Sequence, residues 1–162
     1  EDYTTVNPKG YVPALRLDDG SVLTEVSALI EYIADRAPAS GLIPAAGTME
    51  RYRMAEWIGY IATEIHKGFG PLWDAKLAPD ARAAAVTALA RRLDLVEQAL
   101  ARQPFLTGQG FSVADAYLFA VASWAPWVKL DLAPWPKLRD FLARVAARPK
   151  VQEALMAEGP SE

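Results

Sequence analysis

The clearest capacity for chemistry lies in a histidine and a lysine that are adjacent in the middle of the chain. His66 and Lys67 can supply hydrogen-bond donors and positive charge, which stabilise a neighbouring anion. His66 shares one helical stripe with Gly59, Thr63 and Gly70. This slim, polar stripe suits the wall of a cleft, although a lone histidine is more often an ordinary polar residue and a neighbouring lysine often lies in solvent.

Two further groups lie near the start of the chain, in segments 7–15 and 23–25. Pro13 has no backbone donor, and a cis bond before it would turn the backbone groups of Val12 outward, where an extended peptide can pair with them. The residues alone favour the commoner trans bond. Glu25 is expected in the first turn of a helix, where a carboxylate complements the helix dipole and the helix-terminal amides can bind an anion.

Short elements near the start of the chain must position these groups. Residues 11–17 alternate like a strand, and residues 21–23 follow a turn and return as its hairpin partner. Thr24 is predicted to cap a helix that ends at Asp35. Proline and glycine crowd residues 39–47, which we interpret as a linker.

The pattern after the linker is helical throughout. The predicted helices span about 49–73, 80–102, 113–130, 135–147 and 149–157. Ser112 and Asp115 have the spacing of a helix start signal related to the capping box, and Pro126 disturbs the later part of the helix that follows. An apolar stripe predicts the buried face of the first helix: Met54, Ile58, Ile61, Ile65, Phe69 and Leu72.

Composition argues against several classes of function. Lys and Arg total 17 and Asp and Glu total 20, for a net charge of −3, and the basic residues are scattered rather than clustered. We therefore expect no nucleic-acid partner. No apolar run is long enough for a membrane span. The absence of cysteine and the single histidine also argue against a metal site built by the protein.

The segments 7–15, 23–25, 62–69, 112–115 and 147–149 together resemble bacterial beta-class glutathione S-transferases. The resemblance covers essentially the whole chain and implies a mainly α protein. A C-terminal all-helical glutathione-transferase domain at 48–162 would follow part of a thioredoxin-like α/β domain at 1–38 and the linker at 39–47. It also implies a preceding strand-helix-strand segment that carries the thiol-side residue, so we expect the chain to be incomplete at its N-terminus.

The resemblance implies that glutathione is the co-substrate and that no metal is used. Its thiolate would attack a small hydrophobic electrophile, and related enzymes also carry out glutathione-dependent reductase or peroxidase reactions. The implied catalytic residues are His66 and Lys67, which would face the thiol. The glutathione-binding residues implied by the same resemblance are Tyr11, Val12, Pro13, Glu25, Val26, His66 and Lys67.

For three of these residues the resemblance implies a specific role. It implies that the bond before Pro13 is cis and that the backbone of Val12 pairs with the cysteinyl part of glutathione. It also implies that Glu25 binds the γ-glutamyl ammonium. Several aromatic residues could line an electrophile pocket, but helical spacing alone favours a core role for them: Trp57, Tyr60, Phe69, Trp73, Tyr117, Trp124 and Trp127.

The family resemblance further implies a homodimer located in the cytoplasm. Gly59 departs from the asparagine often found at its position, which in the family reaches the glutathione of the neighbouring subunit. Two alternatives to the enzyme remain at this stage. One is a non-catalytic glutathione- or ligand-binding protein, and the other is a transferase-like module used for protein assembly.

Overall fold

The computed structural model describes residues 2–108 and 110–159. The predicted domain ranges also include positions 1, 109 and 160–162, which lie outside the described residues. A short 3-10 turn at Tyr3–Thr5 precedes strand β1 (Ala14–Arg16), which pairs antiparallel with β2 (Val22–Thr24). Strand β1 is shorter than predicted because Pro13 has no amide to donate to a strand ladder.

Helix α1 (Val26–Asp35) begins later than predicted, and two expectations about its start are wrong. Thr24 does not cap the helix, because its backbone belongs to β2, where it lies opposite Ala14. Glu25 is not in the first turn but is the residue before it, with a φ of 73°. This positive φ, uncommon for a residue other than glycine, lies where the chain turns from β2 into α1.

Four of the five helical ranges predicted after the linker agree with the structure to within two residues at each end, and the range 113–130 does not. After a 3-10 turn at Pro38–Ser40, an unbroken helical run extends from Met49 to Trp73. Its parts are α2 (Met49–Tyr60), a π-helical segment (Ile61–His66), α3 (Lys67–Phe69) and a 3-10 turn (Gly70–Trp73). The remaining helices are α4 (Pro79–Leu100), α5 (Val113–Ala122), α6 (Pro136–Ala146) and α7 (Pro149–Glu158).

The predicted apolar stripe of the long helical run is buried as expected. All six of its residues are at most 3% exposed, from Met54 to Leu72. Helix α5 packs against α1, α2, α6 and the π-helical segment, so it lies at the centre of the helical layer. It ends at Ala122, earlier than predicted, because a helix continued to Pro126 would bring the proline ring against the carbonyl group of Ala122.

The predicted signal at the start of α5 is confirmed as a capping box. The Asp115 carboxylate is fully buried and accepts hydrogen bonds from the Ser112 amide at 2.9 Å and the Ser112 hydroxyl at 2.8 Å. Its other oxygen accepts from the Leu106 amide at 2.8 Å. One side chain thus connects the start of α5 to the loop before it.

An arginine connects the N-terminal part of the chain to the helices. Arg51 of α2 donates to Asp35 at 2.8 and 2.9 Å and to Glu31 at 3.0 Å, both on α1, and to the Pro44 carbonyl at 3.2 Å. The arginine side chain is only 13% exposed. A two-stranded sheet has only marginal stability by itself. The ion pairs of Arg51 help to hold α1, the helix that follows this sheet, against the helical layer.

We expect Arg51→Met to lower the melting temperature by about 2–4 °C, because it leaves Glu31 and Asp35 without their common partner. Arg53→Met is the matched control, since Arg53 pairs with Glu56 on an exposed surface of the same helix. Thermal unfolding followed by circular dichroism measures both. Equal melting temperatures for the two variants would show that the Arg51 ion pairs do not stabilise the fold.

No helix in the described ranges is both long and apolar enough to cross a membrane.

Candidate functional site

A cavity of about 760 Å³ lies between the N-terminal hairpin, the start of α1 and the long helical run. Its walls come from four separate segments of the sequence, within 7–13, 25–27, 62–73 and 117–124. All seven residues predicted as a binding site line this cavity: Tyr11, Val12, Pro13, Glu25, Val26, His66 and Lys67. The structure therefore brings together groups that are up to 56 positions apart, from Tyr11 to Lys67.

The first wall is the turn before β1. The bond between Val12 and Pro13 is cis, as the family resemblance implied. Asn7 is only 2% exposed, and its side-chain amide donates to the Tyr11 carbonyl, which also accepts from the Tyr3 hydroxyl at 3.0 Å. Val12 is 78% exposed and lines the cavity. Asn7 thus holds the backbone of this turn, a role that its sequence position did not indicate.

The second wall is formed by Glu25, which lies between β2 and α1, and by the first residues of α1. The Glu25 carboxylate lies 2.6 Å from the Lys9 ammonium. This hydrogen bond, and to a smaller degree the charges of Lys9 and Lys67, hold the pKa of Glu25 below its usual range. Within the described residues no side-chain hydrogen bond caps the N-terminus of α1, and its first residues, Val26 and Ser27, line the cavity. The wall therefore combines a carboxylate, which accepts hydrogen bonds from ammonium groups, with backbone amides, which donate hydrogen bonds to carboxylates.

The third wall is the end of the π-helical segment. His66 is half-buried, and burial, followed by the charge of Lys67, lowers its pKa, so the imidazole is neutral at pH 7. Thr63, Lys67 and Gly70 line the cavity beside it. Gly59 belongs to the same predicted stripe but does not line the cavity. The π-helical geometry, which the sequence pattern did not predict, widens the turns from Ile61 to His66.

Aromatic side chains complete the helical side of the cavity. Of the seven aromatic residues considered from the sequence, Trp73, Tyr117 and Trp124 line it. Phe69 is fully buried in the core, whereas Trp57 and Tyr60 line a separate groove between α2 and α4. Trp124 contacts Trp73 and His66 edge-to-face at centroid distances of 5.8 and 4.8 Å. The sequence did not show which aromatic residues line the cavity, because aromatic residues of the core and of the cavity have the same helical spacing.

The cavity can therefore bind a ligand that has an ammonium group, a carboxylate and an extended peptide backbone. The neutral imidazole and the Lys67 ammonium can stabilise an anion at its helical wall. The described residues contain no group of three or more Asp, Glu or His side chains that could hold a metal ion.

Two family models match the sequence of this chain. The C-terminal domain of glutathione S-transferases matches residues 60–149, and the N-terminal domain matches residues 1–36. Glutathione S-transferase GstA of Escherichia coli O157:H7 is 45% identical over 159 residues, which cover 98% of this chain and 79% of that protein.

Solved structures are similar over nearly the whole chain. A ternary complex of BphK, a bacterial glutathione S-transferase, superposes with a TM-score of 0.96 at 46% identity, covering 99% of this chain and 80% of that chain. A sphingomonad glutathione S-transferase complexed with glutathione superposes with a TM-score of 0.93 at 43% identity, again over 99% of this chain and 80% of that chain.

Proposed function

Because this chain is a member of the glutathione S-transferase family and uses glutathione as its co-substrate, we propose which residues of the cavity hold each part of that tripeptide. The backbone of Val12, between Tyr11 and Pro13, pairs with the cysteinyl residue. Glu25 binds the γ-glutamyl ammonium, and the amides of α1 from Val26 onward bind the γ-glutamyl carboxylate. The observation that carries this proposal is that one cavity is lined by all of these groups.

His66 and Lys67 act on the thiol in this arrangement. A thiol must lose its proton to become a nucleophile, and hydrogen bonds and positive charge near the sulfur lower its pKa. The neutral imidazole of His66 donates a hydrogen bond, and the ammonium of Lys67 contributes charge. Bringing thiolate and electrophile together in one cavity supplies the rest of the rate acceleration.

The electrophile is a small hydrophobic molecule bound on the aromatic side of the cavity. Trp73 and Trp124 offer it apolar faces next to His66, and pockets for such ligands are generally lined by aromatic side chains. On the basis of family membership we also propose a homodimer that works in the cytoplasm, with residues 1–38 and 48–162 forming the two domains of each subunit.

The salt bridge between Lys9 and Glu25 supports the role proposed for Glu25. The carboxylate pairs with the ammonium group of Lys9 at 2.6 Å, the same kind of contact as that proposed for the γ-glutamyl ammonium. A carboxylate has two oxygens and about four acceptor positions. Glu25 can therefore accept a hydrogen bond from the ammonium of glutathione, either while it remains paired with Lys9 or after that ammonium has replaced Lys9.

We expect Glu25→Gln to weaken glutathione binding about 10-fold or more, because a hydrogen bond between charged groups contributes about 1.5–3 kcal/mol. Isothermal titration calorimetry measures the dissociation constant. A glutathione analogue without the γ-glutamyl amino group should bind wild type and variant equally well. Glu56→Gln, at an exposed position outside this cavity, is the matched control and should bind glutathione normally.

The analogue makes the test specific to one contact. If Glu25→Gln weakens glutathione and the analogue by the same factor, Glu25 does not meet the ammonium and acts on the site in another way. If it weakens neither, the orientation proposed for glutathione in the cavity is wrong.

A further inference from the structure

His66 is held by a tyrosine from a distant part of the sequence. The hydroxyl oxygen of Tyr117, on α5, lies 2.8 Å from Nδ1 of His66. Tyr117 is only 6% exposed, and its ring meets the imidazole edge-to-face at a centroid distance of 5.9 Å. Trp124 contacts the same imidazole at 4.8 Å. The orientation of the ring is therefore set by two aromatic side chains and one hydrogen bond.

The direction of this hydrogen bond follows from the protonation states of the two groups. Burial, with a smaller contribution from the charge of Glu25, raises the pKa of Tyr117 to about 12, so the phenol keeps its proton at neutral pH. The imidazole of His66 is neutral and has one protonated and one unprotonated nitrogen. A phenol is a stronger acid than a neutral imidazole, so the favoured arrangement has the hydroxyl donating to an unprotonated Nδ1.

The choice of nitrogen matters for the reaction. A neutral imidazole that accepts at Nδ1 carries its proton on Nε2. With Nδ1 occupied by Tyr117, Nε2 is the nitrogen that remains for a ligand in the cavity. A protonated Nε2 can donate a hydrogen bond to a thiolate, whereas an unprotonated Nε2 would repel it.

We propose that Tyr117 is a positioning residue of the transferase reaction, which keeps the proton of His66 on Nε2 and directs it toward the glutathione thiolate. This inference rests on the proposed role of His66 at the thiol. The charged groups close to the pair are Lys67, which is adjacent to His66, and Glu25 across the cavity, which carries the Lys9 ammonium. Lys67 disfavours a second proton on the imidazole and so supports the neutral ring.

The tautomer of His66 can be measured directly by nitrogen-15 NMR of the imidazole. This sequence contains one histidine, and the disappearance of its signals in His66→Ala assigns them. We expect the wild-type enzyme to show a protonated Nε2 and an unprotonated Nδ1. In Tyr117→Phe the ring should become a mixture of both tautomers, because the hydrogen bond that selects one of them is lost.

Turnover should change together with the tautomer. With a chloronitrobenzene electrophile, Tyr117→Phe should lower kcat about 2- to 10-fold, the range expected for one neutral hydrogen bond, and leave KM for glutathione nearly unchanged. Tyr60→Phe is the matched control, because the Tyr60 hydroxyl donates to the Arg92 carbonyl at 3.1 Å, in a groove outside this cavity. It should alter neither the tautomer nor kcat.

Three results would overturn the inference. The first is a wild-type enzyme with its proton on Nδ1, an observation that requires no variant to fold. The second is an unchanged tautomer in Tyr117→Phe. The third is an equal loss of kcat when Tyr117→Phe is introduced into wild type and into His66→Ala, since a residue that acts through His66 has no further effect once the imidazole is gone.

The proposed function fails in a different way. Full activity of His66→Ala would show that the imidazole has no role in the reaction. Reduced activity of His66→Ala combined with an unchanged tautomer in Tyr117→Phe would show that only the role of Tyr117 is wrong.

Discussion

Replacing His66 by alanine should lower kcat/KM for conjugation about 10- to 100-fold at pH 7. A hydrogen bond to a charged group contributes about 1.5–3 kcal/mol, and a tenfold change in rate corresponds to about 1.4 kcal/mol. The imidazole lies at the cavity wall beside Lys67 and is neutral at this pH, so it acts as a donor and not as a fixed charge. Lys67 remains in the variant and preserves part of the effect on the thiol.

The activity lost in His66→Ala is expected to depend on pH. Loss of a donor to the thiolate raises the thiol pKa, so a smaller fraction of glutathione is ionised at neutral pH. The deficit of His66→Ala should therefore shrink as the pH rises, and its pH–rate profile should shift to higher pH. Stopped-flow or steady-state rates across the pH range measure this shift.

A control from the same helical segment separates this effect from a change in folding. Glu64 lies two residues before His66 but pairs with Arg92 of α4 at 3.1 Å. Glu64→Gln should retain the wild-type profile. If His66→Ala leaves both glutathione affinity and turnover unchanged, the imidazole does not donate to the thiol.

Much of the arrangement around this site could be predicted from local patterns. The apolar stripe from Met54 to Leu72 has a period that only a helix satisfies, and the same period turns His66 away from the core. The family resemblance added what periodicity could not, because a cis bond before Pro13 is a minority outcome for an X-Pro pair.

The features that could not be predicted depend on tertiary contacts. Glu25 takes a positive φ because the hairpin before it and the helix after it fix where the chain must turn. The π-helical segment 61–66 inserts a wider turn that no residue pattern marks. Tyr117 is 51 residues from His66, and its spacing in α5 is that of a core residue. Such a contact follows only from how α5 packs on the long helical run.

The largest effect on stability is expected at Asp115. Its carboxylate is fully buried, and removal of the side chain in Asp115→Ala leaves the amides of Leu106 and Ser112 without their acceptor. The loss of a helix cap costs about 0.5–2 kcal/mol and a buried unsatisfied donor about 1–3 kcal/mol. We therefore expect the free energy of unfolding to fall by about 3 kcal/mol.

Urea denaturation measures this loss, and Asp140→Ala is the control, because Asp140 is exposed and lies 3.6 Å from Lys137 on α6. Asp115→Asn should be intermediate, since an amide keeps one acceptor oxygen but turns a donor toward groups that also donate. The position of α5 makes the loss global: Tyr117 and the α1, α2 and α6 contacts all depend on where this helix starts. If Asp115→Ala unfolds at the same urea concentration as Asp140→Ala, the buried carboxylate of Asp115 is dispensable. Other contacts would then fix the start of α5.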